Sequence, residues 1–273
     1  MSKQITPRIK LFVHYFFSLF GLRVTALSNF RRLTDLDQSR SSDVLKLLSS
    51  FSTEASGKLL GLLPYSQAQL QQDLFVLGVL QFKRNGYFIE FGATDGFKLS
   101  NTYLLEHQFN WSGLLIEPAR HWHEQLRSNR PSSIVDTRCV WTKSGEEIMF
   151  TETSETEFST ISLFKNFDKH KRDNGKEYYV ETITLNDLLA NYNSPLNIDF
   201  LSIDTEGSEF DILENFNFAK YTISVIVCEH NFTSNRLKIH SLLTGKGYVR
   251  FLESISGFDD WYILGSLHKR IQK

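Results

Sequence analysis

Acidic side chains in this sequence fall where apolar runs stop. Tyr87-Phe88-Ile89-Glu90-Phe91 is a short apolar run with one acid inside it, and Gly92-Ala93-Thr94-Asp95-Gly96 follows at once. That pattern reads as a buried parallel strand ending in a glycine turn. Glycine there lets the backbone approach a ligand closely or take positive φ without strain. A second run, Leu114-Leu115-Ile116, ends on Glu117. An acid in that position, roughly 20 residues past the turn, is where a nucleotide-type cofactor offers ribose hydroxyls. A third run, Ile198 to Ile203, ends on Asp204, and the loop Thr205-Glu206-Gly207-Ser208-Glu209 follows it. A fourth, Ile223 to Cys228, ends on Glu229-His230-Asn231. Acids at the C-terminal ends of central strands face the ligand crevice of a doubly wound sheet.

Two cofactors fit a glycine turn followed by a ribose-reading acid. A dinucleotide fingerprint needs G-x-G-x-x-G, so that a pyrophosphate can sit on the helix N-terminus. This chain has Glu90-x-Gly92-x-x-x-Gly96, with Thr94 where the middle glycine belongs. Glu90 before the turn and Asp95 inside it also repel pyrophosphate. They suit a cationic ligand such as S-adenosylmethionine, with its sulfonium and amino groups. The blander alternative is a tight strand-to-helix turn that binds nothing, and the acid at Glu117 argues against it. Asp199, Asp204, Glu206 and Glu209 put four acids in eleven residues, too many for a core. Asp204 and Glu206 are the site candidates. Glu209 belongs at a helix N-terminus, where its charge is favoured.

The stretch from Gly86 to Pro118 resembles the cofactor half of the FkbM family of S-adenosylmethionine-dependent methyltransferases. The matching residues are Gly86 to Ala93, Asp95-Gly96, Ser100-Asn101-Thr102, Glu106, Trp111-x-Gly113 and Ile116-Glu117-Pro118. Asp204, Glu206, Gly207 and Glu209 match the family's second signature. The resemblance covers roughly residues 66 to 265 and is weakest from 142 to 180. It implies methyl transfer, often to the hydroxyl of a sugar or natural product. In that reading Glu90, Gly92, Asp95 and Gly96 hold the methionine end and Glu117 holds the ribose, with Ala93 and Pro118 also among the cofactor-binding residues. Ser100 and Asn101 lie by the cofactor or cap the helix behind it. Asp204 serves both cofactor and catalysis, Glu206 the acceptor. A base among Asp204, Glu229 and His230 removes the hydroxyl proton. A neutral histidine near pH 7 can do this, and the alternative for His230 is a hydrogen-bonded structural residue. Three rivals stand beside this reading. One is a magnesium-assisted transfer, with Asp204 and Glu229 or Glu206 as hard oxygen ligands. The second is a dinucleotide oxidoreductase, and the third a non-catalytic Rossmann-like binding module.

The elements that must position these residues follow from the apolar pattern. Together they predict an α/β fold: a mostly parallel, doubly wound, Rossmann-like sheet with a C-terminal antiparallel hairpin. The hairpin falls at Val249–Glu253 and Trp261–Leu264. A helix is expected from Ser66 to about Lys83, and the family places such a helix, with an acid near Asp73, before the first strand. Further helices are expected at Tyr103–His107, Ala119–Arg127 and Leu237–Lys246. Ser133 to Trp141 reads as one strand region, at the level where adenine lies in such folds. Its contacts would be Asp136 or the Cys139–Val140 backbone. Residues 142 to 180 read as an excursion: Glu146–Thr151 as a strand, Lys165–Lys176 as a solvated charge run, Tyr178–Leu185 as another strand. His121 and His123 fall on different faces of a helix, which argues against a joint metal site.

The 273 residues suit one large domain with an appendage, divided here as residues 1–65 and 66–273. A formal net charge of −1 gives no electrostatic footprint for nucleic acid. Cys139 and Cys228 both lie in apolar runs and read as buried thiols in a reducing, cytoplasmic compartment. Ile9 to Val24 is the most apolar segment, with Leu11, Phe12, Tyr15, Phe16, Leu19 and Phe20 at helical spacing. It reads either as a helix packed on the catalytic domain or on a second subunit, or as an amphipathic helix on a membrane surface. The expected partner of the site is a small-molecule or glycan acceptor.

Overall fold

Strands buried on both faces need near-continuous apolar runs, and this chain supplies four of them. In the computed structural model, which describes residues 40–153, 158–167, 172 and 175–271, those four runs form the middle of one sheet. They are β1 (Tyr87–Phe91), β2 (Ser112–Ile116), β8 (Asn197–Ile203) and β9 (Thr222–Glu229). With β3 (Ile134–Asp136), β10 (Tyr248–Arg250) and β11 (Asp259–Leu264), the order is β10-β11-β9-β8-β1-β2-β3. All pairs from β9 to β3 are parallel, whereas β11 runs antiparallel to both its neighbours. This is the doubly wound, Rossmann-like sheet with its late antiparallel hairpin. The chain runs outward from β1 through β2 and β3, then returns to β8 on the other side of β1. Ligand crevices of open α/β sheets form at such a switch point.

Period-two alternation sorts each strand onto two cores. Ile89, Phe91, Leu114, Ile116, Leu201, Ile203, Ile226 and Cys228 pack on one face, beneath α5 (Leu185–Asn191), α6 (Glu209–Glu214) and α7 (Asn235–Gly245). Phe88, Leu115, Phe200, Val225 and Val227 pack on the other, beneath α1 (Thr53–Leu62), α2 (Gln72–Val79), α3 (Tyr103–Phe109) and α4 (His123–Asn129). A final helix, α8, spans Gly265–Ile271. The helix expected from Ser66 to Lys83 is shorter. It starts at Gln72, because Ala68 bridges to Leu99 and Gln71 takes φ 59°. It stops at Val79, with Gln81 and Phe82 again at positive φ.

The largest departure from expectation lies between β3 and α5. The single strand expected over Ser133–Trp141 breaks after Asp136, whose carboxylate accepts from the backbone and guanidinium of Arg138. The chain then leaves the main sheet. β4 (Cys139–Val140), β5 (Glu147–Glu152), β6 (Thr160–Ile161) and β7 (Lys176–Ile183) form a second sheet in the order β4-β7-β5-β6. Its own small core joins Cys139, Phe150, Ile161, Phe164 and Val180. Much of the charge run within Lys165–Lys176 lies outside the described residues, as does the Ile9–Val24 segment.

The chain divides into two units, residues 1–46 and 47–273, and the second carries both sheets. Among the described residues, no helix is long and apolar enough to cross a membrane.

Candidate active site

A cavity of about 480 Å³ opens at the C-terminal ends of β1, β2, β8 and β9. Glu90, Gly92, Ala93, Ser100, Asn101, Glu117, Pro118, Asp204, Glu206 and Glu229 all line it. Strand ends separated by more than 100 residues of sequence therefore converge on one space. Asp95, Gly96 and His230 do not belong to its lining.

The turn after β1 shows why glycine stands where it does. Gly92 has φ 71°, and a Cβ there would collide with the backbone carbonyl oxygen of Asp204. β1 and β8 can approach at their ends only because that Cβ is missing. Asp95 points into its own turn, its Oδ1 accepting from Phe97 N and Lys98 N at 2.8 Å each. Gly96, at φ 75°, leaves room for the side chains of Arg130 and Leu126.

Glu90 organises the loop before α3. Its carboxylate accepts from Asn101 N at 2.7 Å, Thr102 Oγ1 at 2.5 Å and Ser100 Oγ at 3.1 Å. Ser100 Oγ in turn accepts from Thr102 N and Tyr103 N, so Ser100 rather than Thr102 caps α3. Arg130 is fully buried behind this loop. It donates to Gly96 O, Ser100 Oγ, Thr102 Oγ1 and Glu106 Oε2, and lies 3.9 Å from Glu90. Burial raises the Glu90 carboxyl above its ordinary range, against the pull of Arg130. Asn101 Nδ2 donates to Ser202 Oγ at 2.9 Å, whereas its Oδ1 is buried without a hydrogen-bond partner among the described residues. An orphaned acceptor in a cavity wall suits a ligand that brings a donor.

Glu117 holds two backbone amides, Thr94 N through Oε2 and Ala119 N through Oε1, both at 2.8 Å. Each oxygen keeps a lone pair for a ligand hydroxyl. Burial pushes the carboxyl up to about 7, opposed by those two amides. Nearby, His123 Nε2 lies 2.9 Å from Glu117 O, while His121 stays exposed, so the two histidines do separate.

The other end of the cavity gathers acids. Asp204, Glu206 and Glu229 each bring a carboxylate oxygen within 4.8 Å of the others. Glu206, at φ 59°, accepts from buried Arg172 at 2.7 Å and from Asn231 Nδ2 at 3.2 Å. Arg172 thus places a buried positive charge against Glu206 alone of the three. Burial, then repulsion from neighbouring acids, raises both Asp204 and Glu229 above the usual carboxylate range. Two carboxylates this close share a proton rather than both ionising. Glu209 is drawn into the loop, its Oε1 accepting from Thr205 N and Gly207 N at 3.0 Å.

His230 faces away from this cluster. Its Nδ1 accepts from Phe232 N at 3.0 Å, and its Nε2 lies 3.8 Å from Asp260 Oδ1. Burial lowers its pKa, with Asp260 opposing. Asp260 is itself held by Arg236 and Arg250.

Sequence reasoning passed over Asp259, Gln72 and Arg172. Asp259 lines the cavity beside Glu229, its register partner, and accepts from Gln72 Nε2 at 2.8 Å. Burial pushes its carboxyl up to about 8. The available signal was an acid leading into the last strand. Gln72 and Arg172 carried none, because their roles depend on contacts 187 and 34 residues away.

Residues 90–254 match the methyltransferase FkbM domain, which takes in every strand-end acid except Asp259. The chain belongs to the FkbM methyltransferase family. A comparison with curated proteins returns no significant match. Among solved structures, the FkbM chain is similar to the precorrin-6y C5,15-methyltransferase of Geobacter metallireducens GS-15. That match has 12% identity over 66% of this chain and 72% of that one, at a TM-score of 0.39. It is also similar to a mutant of MtNAS, at 11% identity over 83% of this chain and 70% of that one, with a TM-score of 0.36. In this FkbM methyltransferase the family span begins at Glu90, the residue that orders the loop over the cavity floor.

Proposed function

We propose that this methyltransferase uses S-adenosylmethionine and methylates a hydroxyl of a small sugar- or natural-product-type acceptor. The observation that carries this reading is the meeting of three strand-end acids, Glu117, Asp204 and Glu229, in one cavity beside the Gly92 turn. When bound, S-adenosylmethionine supplies an electrophilic methyl on a positively charged sulfur. Glu117 receives the ribose hydroxyls on its free lone pairs. Asn101 Oδ1 accepts from the amino group, and the loop ordered by Glu90 forms the wall beside it. Asp204 and Glu229 receive the hydroxyl of the acceptor. One of them takes its proton as the oxygen forms its bond to the methyl carbon. Holding oxygen and methyl in line accounts for most of the acceleration. His230 stays with Asp260 outside this chemistry, as a structural residue.

Thermal unfolding with S-adenosylhomocysteine, with NAD(P) as control, tests the cofactor. A ligand at about 100 times its dissociation constant adds about 2.7 kcal/mol, a rise of roughly 5–10 °C for a domain of this size. A rise with NAD(P) alone would overturn the reading. Methyl-labelled donor offered with a panel of sugars and polyols then tests the acceptor class, and label on amines only would redirect it. A second reading, magnesium-assisted transfer, is favoured by the three oxygens within 4.8 Å of one another. Activity lost in EDTA and restored by Mg²⁺ would select it.

A further inference from the structure

The cavity spans the ends of five neighbouring strands, β2, β1, β8, β9 and β11. At about 4.8 Å per strand that row is roughly 19 Å wide. The donor, held by Glu117 and Asn101, takes the β1–β2 end, which leaves the β9–β11 end for the acceptor. Two phenylalanines line the cavity from loops: Phe158, before β6 of the second sheet, and Phe258, the residue before β11. One chain of polar contacts joins their backbones. Arg172 Nε donates to Phe158 O at 2.6 Å, and Arg172 Nη2 donates to Glu206 Oε2 at 2.7 Å. Asn231 Nδ2 donates to the same Oε2 at 3.2 Å, and Asn231 N donates to Phe258 O at 3.2 Å. Arg172 and Glu206 are both buried. Glu206 at φ 59° and Asn231 at φ 42° hold left-handed backbone, a strain that persists only where the surroundings over-determine it. Glu209 fixes the loop that carries Glu206, through Thr205 N and Gly207 N on either side.

We propose that Arg172, Glu206 and Asn231 form a clamp that sets Phe158 and Phe258 as the aromatic walls of the acceptor subsite, and that this subsite takes the ring of a neutral sugar. The proposal rests on the S-adenosylmethionine reading, which assigns the other end of the cavity. A phenylalanine face is the negative side of the ring quadrupole and takes the slightly positive C–H face of a pyranose. The amide of Gln69 and the hydroxyl of Ser159 share the lining and can bond ring hydroxyls. No described Lys or Arg lines the cavity, so a phosphate or carboxylate on the acceptor would meet no cation there. Arg172 stands behind the lining and acts through Phe158, as a positioning residue. Glu206 serves the acceptor through the walls it ties together.

The full chain saturated with S-adenosylhomocysteine, titrated with methyl hexopyranosides and methyl pentopyranosides under saturation-transfer NMR, tests this, with a hexose phosphate as the anionic control. At least one methyl glycoside should bind, and the phosphate should not. Phe158→Ala and Phe258→Ala should each weaken that glycoside roughly 3- to 10-fold. Arg172→Met should weaken it as much, although Arg172 is not in the lining. Asn231→Gly keeps the left-handed backbone and deletes the amide, so it reads the clamp without removing a buried cation, and it too should weaken the glycoside. All four variants should hold S-adenosylhomocysteine within about twofold of the parent. If the parent complex binds no glycoside, or binds the hexose phosphate equally well, the proposal is overturned and the cofactor reading stands. Glycoside affinity unchanged in both phenylalanine variants, or in both clamp variants, overturns it as well. A clamp variant that loses S-adenosylhomocysteine as much as glycoside would make the chain a support of the whole cavity, again against the proposal. A parent that fails to bind S-adenosylhomocysteine overturns the cofactor reading and this proposal with it.

Discussion

Buried carboxyls cost free energy when charged, and this site keeps several of them. Each therefore leaves a trace in stability as well as in binding. Glu117 makes two amide hydrogen bonds and is left with lone pairs facing the cavity. Charge-assisted hydrogen bonds are worth about 1.5–3 kcal/mol each. Glu117→Ala should therefore weaken S-adenosylhomocysteine binding by roughly 10- to 100-fold, measured by calorimetry. Unchanged affinity would remove Glu117 from the site. The pH dependence has a definite sign. A carboxyl raised in the folded state binds protons that the unfolded chain has released, so stability falls as pH rises through the window between the two values. Asp259, raised to about 8, and Glu117, raised to about 7, both act this way. The lowered histidines, His123 and His230, act oppositely but only below their ordinary 6.5. Between pH 6.5 and about 8 the acids win, so the thermal midpoint of the ligand-free protein should drop across that window. Asp259→Asn should flatten the drop, and an equal slope in the variant would contradict the assignment.

At the scale of elements, the turn between β1 and α3 works as one unit built on Gly92, Glu90 and Arg130. Gly92 permits the approach of β8, while Arg130 holds the loop in place from below. The two should fail differently. Gly92→Ala puts a Cβ against backbone at φ 71°, which no side-chain rotation relieves. It should abolish cofactor binding while leaving most of the fold's amide protection intact. Arg130→Met strands the buried carboxylates of Glu90 and Glu106, and breaking a buried pair from one side costs about 3–5 kcal/mol. Urea unfolding should read a loss of that size, and a loss under about 1 kcal/mol would deny Arg130 its role. The parallel strands and the acids at their ends were legible in the sequence, because burial on both faces and the register of strand ends are local properties of apolar runs. Arg130 was not, because it follows α4 and looks like a surface cation beside Pro131. Nothing local announces that its guanidinium reaches back 34 residues to Gly96.

At the largest scale, residues 47–273 set two sheets around the cavity, and the second sheet was the least legible part. Its strands have recognisable alternation, in Glu147–Glu152 and Lys176–Ile183. Their pairing spans the charged run between them, and charge reads locally as solvation. What the pairing produces is a wall. Phe150, Phe158, Ser159 and Ile161 face the cavity opposite the strand-end acids. Thr160 Oγ1 donates to the carbonyls of Thr205 and Glu206 at 3.1 Å. Arg172 joins Phe158 O, at 2.6 Å, to the carboxylate of Glu206. The cavity lining thus draws on both sheets, so a ligand that fills it would contact elements with no common strand. Occupancy should then protect the second sheet as well as the first. Amide exchange around Phe158–Phe164 should slow in S-adenosylhomocysteine along with that of Gly92–Thr94. Thr160→Val removes the wall's hydroxyl tie without changing its volume greatly. It should lose the protection at Phe158–Phe164 while keeping that at the glycine turn. Protection confined to the glycine turn in the parent would mean that the second sheet closes over the acceptor alone. The wall would then have to be tested with acceptor rather than cofactor.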